Sequence, residues 1–169
     1  KPRVVLDGPE VITYSLPKLN FDLDMLEAEK MNLDILYEDD YLVAINKPSG
    51  LIMHPGAGQS NGTLANGLKY HFKKLSNSSG SLRPGIVHRL DKETSGVVLI
   101  AKNNKMHSII SSQFEKREIK KEYFGITWGS WNEKKGEITD NIKRKRSDPT
   151  SYQIDNKGRE AITLYKVIK

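Results

Sequence analysis

Apolar positions along the chain change their spacing several times, and each change predicts an element. Asp34 to Glu38 and Tyr41 to Asn46 are short apolar runs joined by Asp39-Asp40, a turn-forming pair, which predicts a β-hairpin. The turn Lys47-Pro48-Ser49-Gly50 then leads into a third expected strand, Leu51 to His54. From Thr63, a suitable N-cap, Leu64, Leu68, Phe72 and Leu75 recur at helical spacing. Ser76 to Gly85 is dominated by Ser, Asn, Gly and Pro and reads as a loop. Val97 to Ala101 is a continuous apolar run of the kind a fully buried strand shows. Met106, Ile109, Ile110 and Phe114 mark a second helix, and Ile119 to Trp128, Gly136 to Lys143 and Ala161 to Ile168 predict three further strands. Short hairpin connections beside two helices predict an α+β fold, a mixed and largely antiparallel sheet flanked by helices.

Residues 1–33 are weakly periodic and rich in Pro, Asp and Glu, and read as the end of a preceding module plus a connector. The chain opens on Lys1 and closes on Lys169 inside an expected strand, so both ends are expected to continue in a longer protein. Its 169 residues, 37% hydrophobic and 28% charged, suit one compact domain. No apolar run approaches the ~20 residues of a membrane-spanning helix, and the opening residues are not expected to be a signal peptide, having no charged-then-apolar pattern. The absence of Cys rules out disulfides and thiolate zinc sites and fits a reducing compartment, so a cytoplasmic location with no membrane partner is expected.

Charge is distributed unevenly. Residues 1–40 carry four basic and ten acidic side chains, net −6, and residues 41–169 carry 23 basic and 11 acidic, net +12. Lys116, Arg117, Lys120 and Lys121 form one basic cluster and Lys143, Arg144, Lys145 and Arg146 another, a footprint suited to a polyanion such as RNA or DNA.

Between the loop and the apolar run lies RPGIVHRLDKETSG, Arg83 to Gly96, which packs His88, Arg89, Asp91, Lys92, Glu93, Thr94 and Ser95 between two glycines. A loop on a rigid strand is well placed to present such groups to a ligand. HRLDKETSG followed by an apolar strand and Ala101-Lys102 resembles the catalytic motif of the RluA-like RNA pseudouridine synthases. ILYEDDYLVAINKPSGLIMHPG upstream resembles that family's opening hairpin and Asn-Lys-Pro turn, and QFEKREIKKEYFGITWG downstream its tyrosine-bearing segment. The resemblance covers nearly the whole chain. The Arg-Pro-Gly-Ile-Val run and His-Pro-Gly-Ala-Gly turn are most similar to the RluD-like type that acts on large-subunit (23S) ribosomal RNA, with transfer RNA the other substrate class of the family.

The resemblance implies a pseudouridine synthase catalytic fold over residues 19–169, represented by its N-terminal portion. Residues 1–18 then stand where a linker or the end of an S4-like RNA-binding domain would lie. It implies isomerisation of uridine with no cofactor and no metal. Asp91 is the implied nucleophile, a role a carboxylate suits because it is ionised at neutral pH in its free form. Tyr123 is the implied second catalytic residue, stacking on the target base. Arg89 is implied to occupy or support the space left when that base is extruded. Lys92, Thr94, Lys47 and His88 complete the substrate-binding group, with the two lysines expected as phosphate contacts. His88 is not assigned as a base, because apolar Ile86 and Val87 before it favour a structural, hydrogen-bonding role. The family's last motif, a Thr-Gly-Arg-His-Gln-like segment, and the basic partner of the nucleophile are expected beyond Lys169. A monomer is expected.

Other chemistries fit less well. Val43 to Lys47 and His88 to Asp91 echo protein-kinase motifs, but Asn46 and Leu90 interrupt them and no Gly-rich loop precedes them. His54, His71, His88 and His107 are scattered without ligand spacing. The alternative from another class is a non-catalytic RNA-binding module using the same basic face.

Overall fold

The structure, a computed structural model, describes residues 26–56, 58–148 and 151–169. Readings placed on residues 1–25, including the linker or S4-like end at 1–18, lie outside the described residues. The chain divides into two compact units, the first ending at Lys121 and the second spanning Glu122–Lys169.

The first unit holds an antiparallel sheet of β1 (Ile35–Glu38), β2 (Leu42–Lys47) and β3 (Gly96–Ala101) in that order, with helices α1 (Leu64–His71) and α2 (Asn104–Glu115). The β1–β2 hairpin forms where the pattern predicts it, and Asp39 closes its turn by accepting from the backbone N–H groups of Tyr41 and Leu42. Register pairs Val43 with Ile100 and Ile45 with Val98. These four side chains share one sheet face and are buried with Leu64, Ala65 and Leu68 of α1. The run expected to be wholly buried is therefore half-buried: Val98 and Ile100 point into the core while Val97 is 54% exposed.

Leu51 to His54, expected as a strand, makes only one isolated bridge, Ile52 to Thr63. Its carbonyls serve α1 instead. Ile52 and Met53 accept from the N–H groups of Leu64 and Ala65, two donors that the first turn of a helix leaves without intrahelical partners. Thr63 and Asn66 close a capping box, and both are buried. Helix α1 ends at His71, so Phe72 and Leu75 lie beyond it yet still pack against the core. The polar loop after α1 is pinned: Ser76 N–H donates to Ala101, and the Asn104 side chain accepts from the Ser76 hydroxyl and the Asn77 N–H.

The second unit is an antiparallel sheet, β5-β4-β6, of β4 (Lys135–Arg144), β5 (Tyr152–Ile154) and β6 (Arg159–Lys166). β4 and β6 match the predicted strands within a few residues. The strand predicted at 119–128 is not present: no ladder includes it, and Ile126 and Trp128 are fully exposed. Apolar alternation gives a strand its side-chain pattern, but only a paired neighbour gives it hydrogen bonds. The observed architecture is the α+β, antiparallel type that the sequence predicts. No helix among the described residues is long and apolar enough to cross a membrane.

Candidate active site

The segment carrying Asp91 is anchored in three steps along its own length. Gly85 comes first, at φ +68°, pressed so close to β3 that a Cβ there would lie 2.7 Å from the Ala101 carbonyl oxygen. Its carbonyl accepts from Ala101 N–H at 2.8 Å, and Ile86 bridges Ile100. His88 then takes over where a backbone carbonyl would stand, its Nε2 accepting from Leu99 N–H at 2.9 Å. Leu90 is the last anchor, buried in the core cluster. Alternation about Leu90 turns Arg89 and Asp91 outward, and both are exposed.

The histidine supports the loop from the side. Its ring stacks on Phe114 of α2 at 4.4 Å, and Lys121 lies over the same Phe114 ring. Desolvation, reinforced by the positive charge of Lys121, pushes the imidazole down to about 4. At neutral pH it is uncharged, and acceptance at Nε2 fixes the proton on Nδ1. The unfolded chain binds a proton near 6.5, so lowering pH from about 6.5 to about 4 favours the unfolded state, by about 2 kcal/mol at this half-buried site. His107, also lowered by burial, acts in the same direction. In denaturant titrations across that window, His88→Gln, which keeps an acceptor for Leu99, should lose visibly less stability than the parent. Equal losses would contradict this account of His88.

The turn after β2 supports the loop from beneath. Lys47, expected as a phosphate contact, is fully buried, and its Nζ donates to three carbonyls: Pro48 at 2.9 Å, Leu51 at 2.9 Å and Lys92 at 3.1 Å. An ammonium has three donors, and here all three are taken by backbone carbonyls, so the residue pins the loop. Burial lowers its pKa, an effect that the charges of Glu93 and Asp91 oppose. Gly50 N–H joins it on the Lys92 carbonyl at 2.8 Å, and the Ser49 hydroxyl donates to the Glu93 carbonyl at 2.8 Å. Asp91 itself opens a turn in which its carbonyl accepts from Thr94 N–H at 3.1 Å.

Asp91, Arg89, His88, Lys92, Thr94 and Lys47 thus belong to one loop and the turn that braces it. Lys92 is exposed, with only a long 4.0 Å approach to Glu93, and Thr94 is half-buried. Tyr123 belongs to the second unit, where its side chain is exposed. Ser49, Gly50 and Phe114 were not singled out from sequence; the Ser-Gly pair after Lys47-Pro48 was a visible turn signal, whereas Phe114 read only as helix core. An open cavity of about 320 Å³ bordered by Lys69, Phe72, Lys73 and Asn77 is built from other residues than the Asp91 loop. Chemically, the loop offers an outward carboxylate on a backbone fixed from two sides, competent to attack an electrophilic carbon or to stabilise a cationic one.

A family model described as RNA pseudouridylate synthase matches residues 41–169. An uncharacterized RNA pseudouridine synthase of Aquifex aeolicus is 42% identical over 167 residues, covering 99% of this chain and 52% of the relative. Ribosomal large subunit pseudouridine synthase D of Vibrio cholerae is 36% identical over 167 residues, covering 99% of this chain and 50% of its own. Among solved structures, human RNA pseudouridylate synthase domain containing 4 aligns with a TM-score of 0.56 and 28% identity, over 78% of this chain and 52% of that one. The chain spans about half the length of the curated relatives it matches.

Proposed function

This chain belongs to the RNA pseudouridylate synthase family, and from that premise we propose that the full-length protein isomerises specific uridines of large-subunit ribosomal RNA to pseudouridine, with Asp91 as its catalytic carboxylate. The observation that carries the reading is the exposed Asp91 on a loop held by the buried Leu90 and Lys47 and the half-buried His88. The reaction breaks the bond from ribose C1′ to uracil N1, turns the base and rejoins it through C5. The C5 proton is released and N1 gains one, so nothing is consumed and no cofactor is needed.

A stacked or paired uridine cannot reach a carboxylate, so it must be everted, at a cost of a few kcal/mol in lost stacking. Arg89, exposed two residues before Asp91, is assigned to the space the base vacates, and Tyr123 to stacking on the everted base. Asp91 then acts on the sugar–base bond, as nucleophile or as the counter-charge to an oxocarbenium-like sugar. The ribosomal assignment rests on similarity to relatives named for the large ribosomal subunit; transfer RNA is the second substrate class to assay. We assign the protein to the cytoplasm, acting as a monomer.

The test is pseudouridine mapping in ribosomal RNA from cells with and without the gene, repeated in vitro with purified full-length protein and unmodified transcript. Sites that vanish in the deletion and reappear with the protein support the reading. Unchanged maps together with tight RNA binding would instead assign a non-catalytic RNA-binding module.

A further inference from the structure

A strongly charged feature outside the Asp91 loop is the stretch from the end of β4 through β5 to the start of β6 in the second unit. Residues 143–159 carry six basic side chains, Lys143, Arg144, Lys145, Arg146, Lys157 and Arg159, against two acidic ones, Asp148 and Asp155, net +4. Charge alone would suit any solvated turn. What distinguishes this stretch is how the sheet sorts its side chains.

Register places Arg144 opposite Tyr152, and Ile142 opposite both Ile154 and Arg159. Opposed residues share a face, and so do residues two apart along a strand, so Arg144, Tyr152, Ile154 and Arg159 stand together on one side. Tyr152 is 54% exposed and Ile154 67%, and the Arg144 guanidinium lies 5.3 Å from the Tyr152 ring centroid. That contact lays the charge over one face of the ring and leaves the other face for a further stacking partner. The other face carries one of the two carboxylates: Asp155 lies 3.9 Å from Lys143 and accepts from Lys157 N–H. Lys145 and Arg146 continue beyond the strand, both exposed, and the charge of Arg146 also acts on Asp155.

An exposed ring flanked by guanidinium and ammonium groups is the arrangement that holds unpaired nucleic acid, by stacking on the base and pairing with phosphates on either side of it. A protein partner would be expected to leave the ring less heavily ringed with positive charge, so the charge favours a polyanion.

We propose that the β4–β5 hairpin is a second RNA-contacting surface, on which an unpaired base of the substrate stacks on Tyr152 while Arg144, Lys145 and Arg146 contact neighbouring phosphates. The proposal rests on the RNA-modifying reading given above and adds to it a site away from the chemistry. Such a surface contributes affinity and choice of RNA rather than bond-breaking.

The experiment uses full-length protein and in vitro transcribed large-subunit ribosomal RNA, with Kd measured by filter binding across a KCl series. The double variant Lys145→Ala/Arg146→Ala should lower the slope of log Kd against log salt by about 1 to 2. Tyr152→Ala should weaken binding about tenfold with little change in slope, and Tyr152→Phe, which keeps the ring, should bind like the parent. A parent-like slope in the double variant overturns the proposal, as does equal loss in Tyr152→Ala and Tyr152→Phe. Either result leaves the isomerase reading standing when the parent still forms pseudouridine; a parent that forms none on any RNA overturns that reading instead.

Discussion

Asp91→Asn in the full-length protein should lower pseudouridine formation by a factor on the order of 10⁴ or more, with thermal stability changed by no more than about 0.5 kcal/mol. The two halves of this expectation come from one geometry. Asp91 is exposed and holds its turn through its backbone carbonyl, which accepts from Thr94. The carboxamide keeps the size of the side chain and that backbone bond, and Glu93, the larger of the two charges that favour the Lys47 ammonium, remains, so the fold and the loop are expected to hold. What it loses is the negative charge and the nucleophilic oxygen. Tritium release from RNA carrying 5-tritiated uridine reports the chemistry directly, and filter binding on the same samples should show RNA affinity nearly intact. Turnover within tenfold of the parent would remove Asp91 from its role.

Lys47→Met should destabilise the protein by about 3–5 kcal/mol, read as the shift in a urea unfolding curve. Methionine fills a similar volume but donates nothing, leaving the carbonyls of Pro48 and Leu51 without the ammonium that both accept from. The Lys92 carbonyl retains Gly50 N–H. Because Lys92 directly follows Asp91, the same substitution should also loosen the reactive loop. Under conditions where the variant is still fully folded, kcat should fall further than KM rises, since a mobile carboxylate spends less time in line with the sugar. A phosphate-binding role would produce the reverse, a raised KM with kcat kept. Lys47→Arg is not expected to rescue, because a planar guanidinium cannot reproduce three donors converging from one nitrogen.

Lys47 also illustrates what the sequence conceals. A lysine in a turn between strands reads as solvated, and nothing in local spacing announces that the Lys92 carbonyl, 45 residues away, will sit over its ammonium. Long-range contacts of that kind belong to the fold and leave no periodicity. His88 was more legible, because the apolar Ile86 and Val87 before it signal a chain already entering the core. The β1–β2 hairpin and α1 were legible for the same reason, since each buries one face against a neighbour and so imposes a period on its residues.

Two misses run in opposite directions. β5 was not predicted, because three residues in a polar stretch are too short a run to establish a period; Tyr152–Ile154 becomes a strand only because β4 lies alongside it. Residues 119–128 carry a strand-like pattern and form none, because no partner ladder includes them. In both cases pairing, which is tertiary, decided the outcome over local preference. Of the residues expected to act on RNA, Arg89, Asp91 and Lys92 reach the surface of one loop, while Tyr123 stands in the second unit.

The most direct measurement is a structure of the full-length protein, carrying Asp91→Asn to halt turnover, bound to its RNA. The account predicts a uridine turned out of its stack with ribose C1′ within about 3.5 Å of the residue-91 side chain. A bound RNA whose uridines all remain stacked, with residue 91 facing only solvent, would contradict it.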